Sequence, residues 1–210
     1  MKYVIFDFDG TIADSMPLVA DIARIILPKT DLSPAQVEKL RNMPPRQIIK
    51  YSGISYIKIP HMLLRGKRIL SKRLDEISAV QGIVPVIQAL YDQGYTLFVV
   101  SSNSETNIRL FLDKYRMKHY FRAIYGNVGL FSKAQTLKKV MRWQKIDGAE
   151  SCLYIGDEVR DIEAAKKVHI KIAAVTWGFN GMTILKKYKP DYLVSKPKQI
   201  LEIVGARETA

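Results

Sequence analysis

The sequence has little cysteine and histidine and no long apolar run. Its 210 residues include one cysteine, Cys152, so no disulfide can form within the chain and a reducing compartment fits. The three histidines stand far apart, and none has the spacing of a zinc ligand. The longest apolar stretches have the length of strands, well below a membrane span. We therefore expect no structural disulfide, no zinc site and no membrane partner.

The first residues of the sequence do not have the pattern of a secretory signal. No basic region precedes an apolar stretch at the start of the sequence, so we expect no secretory signal and a cytoplasmic location. Hydrophobic residues make up 48% of the chain, which is enough to bury a sizeable core. We expect one large domain, or one domain that carries an insertion.

Acidic residues are few relative to basic ones, and the imbalance is local. The net charge is +13, and +9 of it falls between Pro28 and Arg73, where eleven basic residues stand against two acidic ones. Most of these side chains are expected on a solvated helical surface. A segment this basic nevertheless favours an anionic ligand, such as a small phosphate, nucleic acid or a membrane surface. No aromatic-interleaved or groove-reading motif accompanies it, so nucleic acid is the weaker interpretation.

Two carboxylates stand at the end of the first apolar run. Residues 3–6 favour a β-strand, which gives way to Asp7, Phe8 and Asp9 before a turn at Gly10. In an extended chain, residues two apart point the same way, so Asp7 and Asp9 can face one point. Two acids at one point repel each other unless a cation or a proton lies between them. A polar junction between strand and loop is the alternative interpretation.

Residues 16–80 show helical patterns and no strand pattern. Serine and proline pairs mark two helix starts, and a double proline marks a stop. Helices are predicted from Ser15 to Leu27, from Ser33 to Asn42, from Arg46 to Tyr51 and from Pro60 to Ile77. We therefore expect this segment to be entirely helical.

The remainder of the chain alternates apolar strands with helices. Strands are predicted over Tyr95–Val100, Ala123–Asn127, Ser151–Ile155, Ile170–Val175 and Tyr192–Val194. The helices predicted between them include one from Glu105 to Lys118 and one that Ser132 caps and that ends at Gln144. Fully apolar strands that alternate with helices indicate a parallel sheet covered on both faces. The predicted fold is α/β: residues 1–15 and 81–210 form a Rossmann-like, doubly wound parallel sheet, and residues 16–80 are inserted after its first strand.

Polar residues gather where the predicted strands end. Ligands of such sheets bind beyond the carboxyl ends of the strands. Ser101 follows the second predicted strand, Lys133 begins a helix, and Asp157 and Asp161 follow the fourth strand. Each has an ordinary explanation as a helix cap or a surface residue. Their coincidence with the first acidic pair at one edge of one sheet indicates a site.

The chain resembles a known superfamily in these positions. Its motifs resemble, in order and spacing, those of the haloacid dehalogenase-like superfamily: Asp7-Phe8-Asp9-Gly10-Thr11, the strand that ends at Ser101, the helix that begins at Lys133, and Gly156-Asp157-Glu158-Val159-Arg160-Asp161. Residues 16–80 resemble its first-type helical cap. Trp177-Gly178-Phe179-Asn180 and Pro190-Asp191-Tyr192 resemble its phosphoglycolate-phosphatase-like branch. The resemblance covers essentially the whole chain.

This resemblance implies a phosphatase that uses Mg²⁺ and forms an aspartyl-phosphate. Asp7 would be the nucleophile, and Asp9 would protonate the leaving oxygen and then take a proton from water. The ion would be held by Asp7, the backbone carbonyl of Asp9, and Asp157, with Asp161 fixing this set of ligands.

The resemblance also implies which residues bind the substrate. Ser101 and Lys133 would neutralise phosphate oxygens. Gly10, Ser102, Asn103 and Arg46 are the further predicted contacts. Residues 16–80 would close as a lid, and the guanidinium of Arg46 would suit a second phosphate or a carboxylate. An arginine in solvent at a helix start is the alternative. The implied partner is a small anionic phosphorylated metabolite.

The same residues also occur in proteins with other functions. Asp9 argues for a phosphatase or a phosphomutase, because the superfamily's dehalogenases lack a working acid there. A receiver-like signalling module also uses an acidic pair and a lysine, but its phosphorylated aspartate follows a middle strand. Glu158 departs from the pattern, since many relatives carry serine or threonine. Its added negative charge could strengthen Mg²⁺ binding, but we expect its side chain to point into solvent instead. The substrate, and whether the protein is a monomer or a dimer, are left open.

Overall fold

A parallel sheet lies at the centre of the molecule. The structure, a computed structural model, describes residues 1–26, 33–44, 47–48, 50, 55–129 and 132–205. Its strands are β1 (Tyr3–Phe6), β2 (Ala13–Asp14), β3 (Ser78–Ala79), β4 (Thr96–Val100), β5 (Phe121–Tyr125), β6 (Cys152–Gly156), β7 (Lys171–Val175) and β8 (Tyr192–Val194). Six of these described strands pair in parallel, in the order β5-β4-β1-β6-β7-β8.

Helices cover both faces of this sheet. Those in the described residues are α1 (Met16–Ile26), α2 (Pro34–Arg41), α3 (Ile59–Lys72), α4 (Ile83–Asp92), α5 (Glu105–Lys114), α6 (Lys133–Trp143), α7 (Val159–Lys167), α8 (Met182–Lys187) and α9 (Lys198–Gly205). Buried side chains of α4, α5 and α9 pack in the hydrophobic cluster on one face, and those of α6, α7 and α8 pack on the other.

The burial of the central strand β1 on both faces explains why its sequence is apolar throughout. Val4 and Phe6 belong to one hydrophobic cluster and Ile5 to the other, and all three are fully buried. Alternate residues of a strand point to opposite faces, so a sheet covered on both faces needs apolar residues at every position. The predicted Rossmann-like α/β fold is confirmed.

The register of the sheet brings three strand ends together. Phe6 lies opposite Val99 of β4 and Ile155 of β6. The residues that follow β1, β4 and β6 therefore lie at one edge. β1 stands between the other two strands, at the point where the strand order reverses. The site predicted from the sequence therefore lies at the centre of this edge of the sheet.

The helical segment begins as its sequence indicates. Ser33 caps α2: its hydroxyl accepts a hydrogen bond from the Gln36 backbone N–H at 3.3 Å, and the Gln36 side chain accepts from the Ser33 N–H at 2.8 Å. This reciprocal pair satisfies two donors that a helix start leaves open. α1 packs against α3, which ends at Lys72, before the predicted Ile77. Arg46 and part of the short predicted helix lie outside the described residues.

One strand in this segment was not predicted. Ala13–Asp14 pairs antiparallel with Ser78–Ala79, so residues 16–80 are not entirely helical. Two residues are too few to produce the alternation by which a strand is recognised. The pair lies at both boundaries of the predicted insertion, whose division from residues 1–15 and 81–210 remains a prediction.

Two smaller expectations, the helix from Glu105 to Lys118 and the cap at Ser132, also differ from the structure. α5 ends at Lys114, and Arg116 adopts a left-handed backbone with φ 55°, where a helix cannot continue. Ser132 does not cap α6, because its hydroxyl donates to the Gly129 carbonyl at 3.0 Å. Among the described residues, no helix has the length and apolar character needed to cross a membrane.

Candidate active site

Three carboxylates converge at the carboxyl edge of the sheet. Asp7 follows β1, Asp157 follows β6, and Asp161 lies in the first turn of α7. One oxygen from each lies within 4.8 Å of the others, and all three side chains are buried. Like charges this close, removed from water, cannot all ionise without a compensating cation.

Lys133 supplies part of that compensation. Its Nζ donates to Asp7 Oδ2 at 2.7 Å and to Asp161 Oδ1. Burial by itself would lower the pKa of Lys133, but the carboxylates of Asp161 and Asp7 raise it, so the ammonium is charged. A single ammonium against three carboxylates still leaves an excess of negative charge.

Asp157 is held from several sides. Thr11 Oγ1 donates to its Oδ1 at 3.0 Å, and the Phe179 N–H donates to its Oδ2 at 2.7 Å. A Cβ on Gly10 or Gly178 would overlap its carboxylate, so only glycine allows the backbone this close. Burial, together with the charges of Glu158 and Asp7, raises the pKa of Asp157 well above its usual range.

The cluster fits a divalent cation. Carboxylate oxygens are hard donors of the kind that Mg²⁺ and Ca²⁺ prefer. The glycines that fit around Asp157 fix the position of one donor, and the Lys133 contact fixes the other two. A bound cation would remove the repulsion that the burial of these groups creates. The residues therefore could hold a metal ion.

Asp9 lies beside this cluster with a different environment. The Asn103 side chain donates to Asp9 Oδ2 at 3.0 Å and to Oδ1 at 3.3 Å. Burial and the neighbouring charge of Asp7 raise the pKa of Asp9 to about 6, although the Asn103 hydrogen bond favours the charged form. A carboxyl group with a pKa near neutrality can both give and accept a proton.

Ser101 joins the same edge from β4. Its side chain is buried, and its hydroxyl accepts a hydrogen bond from the Asn103 N–H at 3.2 Å. Its own N–H donates to the Tyr125 carbonyl at 3.0 Å. The predicted acids, the serine and the lysine thus lie together, whereas the predicted contact Arg46 falls outside the described residues.

The expectation for Glu158 is wrong. Its side chain is only 18% exposed and forms an ion pair with Arg160, whose Nη2 also lies 3.5 Å from Ser102 Oγ. Burial raises the pKa of the Glu158 carboxyl, while the guanidinium of Arg160 opposes that effect. Glu158 is therefore compensated by a neighbour two residues away instead of by solvent.

Arg41, at the end of α2, was missed by the sequence analysis. Its guanidinium donates to three backbone carbonyls of one loop: Thr176 at 3.2 Å, Gly178 at 2.9 Å and Phe179 at 3.3 Å. In return its carbonyl accepts from the Gly181 N–H at 2.9 Å. The Phe179 N–H of this loop (residues 176–181) also donates to Asp157. Arg41 therefore connects α2 to the loop that supports the Asp157 carboxylate. In the sequence, nothing distinguishes Arg41 from the other ten basic residues between Pro28 and Arg73.

Known proteins resemble the chain over nearly its full length. A family model described as haloacid dehalogenase-like hydrolase matches residues 4–175. The chain is 32% identical, over 97% of both proteins, to a phosphoglycolate phosphatase of Synechococcus elongatus. It is 23% identical to pyrophosphatase PpaX of Oceanobacillus iheyensis, over 98% of this chain and 97% of that protein. A haloacid dehalogenase-like hydrolase from Streptococcus pneumoniae shares the fold with a TM-score of 0.80, at 21% identity over 97% of this chain and 98% of its own.

Removal of one acid should act in opposite directions with and without metal. Saturating Mg²⁺, at about 100 times its Kd, should stabilise the wild type by about 2.7 kcal/mol. Asp157→Asn should raise the melting temperature of the metal-free protein by relieving repulsion, and should remove the response to Mg²⁺. Thermal unfolding with and without Mg²⁺ measures both. Glu163→Gln, an exposed acid on α7, is the control and should keep the wild-type response. An Asp157→Asn protein that still responds like the wild type would contradict the assignment.

Arg41 should influence metal binding from outside the cluster. Arg41→Ala releases the 176–181 loop that supports Asp157, and loss of such a support lowers metal affinity by about ten-fold or more. Arg41→Lys keeps the charge but cannot span three carbonyls, so it should weaken binding similarly. Isothermal titration with Mg²⁺ gives the Kd, and Arg68→Ala, an exposed arginine on α3, is the control. Equal affinities for Arg41→Ala and Arg68→Ala would show that the loop does not need α2.

Proposed function

This chain belongs to the haloacid dehalogenase-like hydrolase family and is a phosphatase, and we propose that it hydrolyses a small phosphomonoester with Mg²⁺ through an aspartyl-phosphate. The observation that carries the proposal is the convergence of Asp7, Asp157, Asp161 and Lys133 beside a separately held Asp9. Such a site contains a nucleophile, a cation site and a proton donor. These are the three parts that phosphoryl transfer to a carboxylate needs.

Asp7 is the proposed nucleophile. Its carboxylate is oriented by the Phe8 N–H at Oδ1, 2.8 Å away, and by Lys133 at Oδ2. In the first step a carboxylate oxygen of Asp7 would bond to phosphorus, and the bond from phosphorus to the ester oxygen would break. The electron pair of that bond leaves with the ester oxygen.

Asp9 is the proposed acid and base. In the first step it would give its proton to the leaving oxygen, which otherwise departs as an unstable alkoxide. In the second step it would take a proton from a water molecule whose oxygen bonds to phosphorus, and the bond from phosphorus to the Asp7 oxygen would break. This releases inorganic phosphate and restores the Asp7 carboxylate and the protonated Asp9. Asn103 would keep the carboxyl of Asp9 in place through both steps.

The remaining residues would balance charge. Asp7, Asp157 and the backbone carbonyl of Asp9 would hold Mg²⁺, and Asp161 would fix this set of ligands. The bound ion would offset the negative charge of the acids and the phosphate. Ser101 and Lys133, with N–H groups near Gly10 and Ser102, would hold phosphate oxygens.

The substrate class follows from the relatives and from the basic segment. Relatives named phosphoglycolate phosphatase and pyrophosphatase support a small phosphorylated substrate, and the +9 segment favours an anion. We propose 2-phosphoglycolate as the first ester to test, followed by pyrophosphate, sugar phosphates and nucleotides. Residues 16–80 would act as a lid, in which Arg46 would contact a second anionic group.

A panel of these phosphates with Mg²⁺ tests the activity directly. Release of inorganic phosphate supports the phosphatase. Transfer of the phosphoryl group to a second sugar phosphate would support the alternative, a phosphomutase. Hydrolysis of no member of the panel, with or without Mg²⁺, would contradict the proposal.

Asp7→Asn should abolish turnover without unfolding the protein. The substitution removes the attacking carboxylate and relieves repulsion in the cluster, so the melting temperature should stay the same or rise. Acid-quenched wild-type enzyme should gain the mass of one phosphoryl group on the peptide that contains Asp7. Asp7→Asn should gain none, and turnover within a few-fold of the wild type would rule out the covalent mechanism.

Asp9→Asn should separate the two acids by the leaving group of the ester. p-Nitrophenyl phosphate has a good leaving group and needs no proton in the first step, whereas an alkyl phosphate such as 2-phosphoglycolate does. Single-turnover formation of aspartyl-phosphate should therefore fall by about 10²–10⁴ for the alkyl ester and much less for the aryl ester. A uniform loss on both esters would contradict the role of Asp9.

A further inference from the structure

Asn107 carries a buried polar side chain that no motif explains. It lies in the first turn of α5 and is 7% exposed. Its backbone N–H is already satisfied by the Ser104 hydroxyl at 3.1 Å, so its side chain is not needed to begin the helix. Burying an amide is unfavourable unless it is hydrogen-bonded, and a leucine would pack here without that cost. The buried amide of Asn107 therefore needs hydrogen-bond partners.

The Asn107 amide bonds in two directions. Its Nδ2 donates to Asn103 Oδ1 at 3.0 Å and to Ser71 Oγ on α3 at 2.8 Å. Asn103 in turn donates from its own Nδ2 to the carboxylate of Asp9. A continuous series of hydrogen bonds therefore runs from Ser71 on α3 through Asn107 and Asn103 to Asp9.

The direction of each bond in this series is fixed. Asn103 Oδ1 accepts from the Ser104 N–H at 2.8 Å as well as from Asn107, and both partners are donors. If the Asn103 amide turned over, its NH₂ would face these two donors and its oxygen would face the Asp9 carboxylate. Both ends would then be repulsive. Asn107 thus helps to keep the donor end of Asn103 on Asp9.

We propose that Asn107 is a positioning residue for the acid and base of the reaction: it orients Asn103, which holds Asp9, and Ser71 anchors it to α3. The proposal rests on the function proposed above for Asp9. Without Asn107, the Asn103 amide loses one of its two orienting donors, and the carboxyl of Asp9 loses its alignment with the leaving oxygen. Proton transfer depends on such alignment, whereas attack by Asp7 does not.

Two substitutions of Asn107 test the inference. Asn107→Leu removes the amide, and Asn107→Asp keeps its shape, removes the donor and adds a carboxyl group. Each should slow single-turnover phosphorylation by the alkyl ester about ten-fold and by p-nitrophenyl phosphate only a few-fold. Ser71→Ala should show the same selectivity with a smaller loss, because the Asn103 contact remains. Gln144→Leu removes a remote half-buried amide that donates to Tyr125 OH at 2.8 Å, and it should change neither rate.

The double variant identifies the route of the effect. If Asn107 acts through Asn103, then Asn103→Leu combined with Asn107→Leu should be no slower than Asn103→Leu alone. Losses that multiply would overturn this route. Equal losses on both esters for Asn107→Leu and Asn107→Asp would mean a structural role only. A Ser71→Ala enzyme identical to the wild type would overturn the anchor on α3.

Asp9→Asn in the same assay separates the two levels of the proposal. If Asp9→Asn is selective for the alkyl ester and the Asn107 variants are not, the inference on Asn107 is wrong and the role of Asp9 stands. If Asp9→Asn itself lacks selectivity, the proposed role of Asp9 is wrong. Melting temperatures show whether each variant is folded, and Asn107→Asp, which preserves the volume of the side chain, serves if Asn107→Leu is not.

Discussion

The burial of three carboxylates at one edge of the sheet is the constraint on which the rest of the site depends. Asp7, Asp157 and Asp161 lie where β1 and β6 end side by side, and the sheet leaves them little water. Their repulsion has to be balanced locally. Lys133 from α6 balances part of it, and the close approach of Gly10 and Gly178 brings backbone rather than side chains against Asp157.

The segment that connects β2 to β3 reaches the supports of both Asp157 and Asp9, by separate routes. Arg41 of α2 holds the loop that donates to Asp157, on the side of the candidate cation site. Ser71 of α3 lies at the start of the hydrogen bonds that reach Asp9, the proposed acid and base. A displacement of these helices relative to the sheet would disturb both supports together. The positions of α2 and α3 therefore affect the positions of both Asp157 and Asp9.

The sequence predicts the parts of this protein that depend on local pattern. Continuous apolar strands indicate a parallel sheet covered on both faces. In such a sheet the strand ends lie side by side, so the acids that follow β1 and β6 are predicted to lie close together. The β2–β3 pair is too short to give a pattern. The environment of Glu158 depends on the turn before α7, which brings its carboxylate against the guanidinium of Arg160. Arg41 and Asn107 could not be predicted: each acts through contacts with residues distant in sequence, and neither residue type is unusual at its position.

The charge of the whole chain and the charge of the site have opposite signs, and the difference has a physical reason. The chain carries +13, whereas the site holds the carboxyl groups of Asp7, Asp157, Asp161 and Glu158 against the cations of Lys133 and Arg160. A basic exterior raises the local concentration of a phosphorylated anion. An acidic centre repels that anion until a cation is present, and it also supplies the oxygen ligands that attract the cation. Composition therefore favours an anionic ligand, and the geometry of the strand ends is the reason why we propose that a metal ion accompanies it.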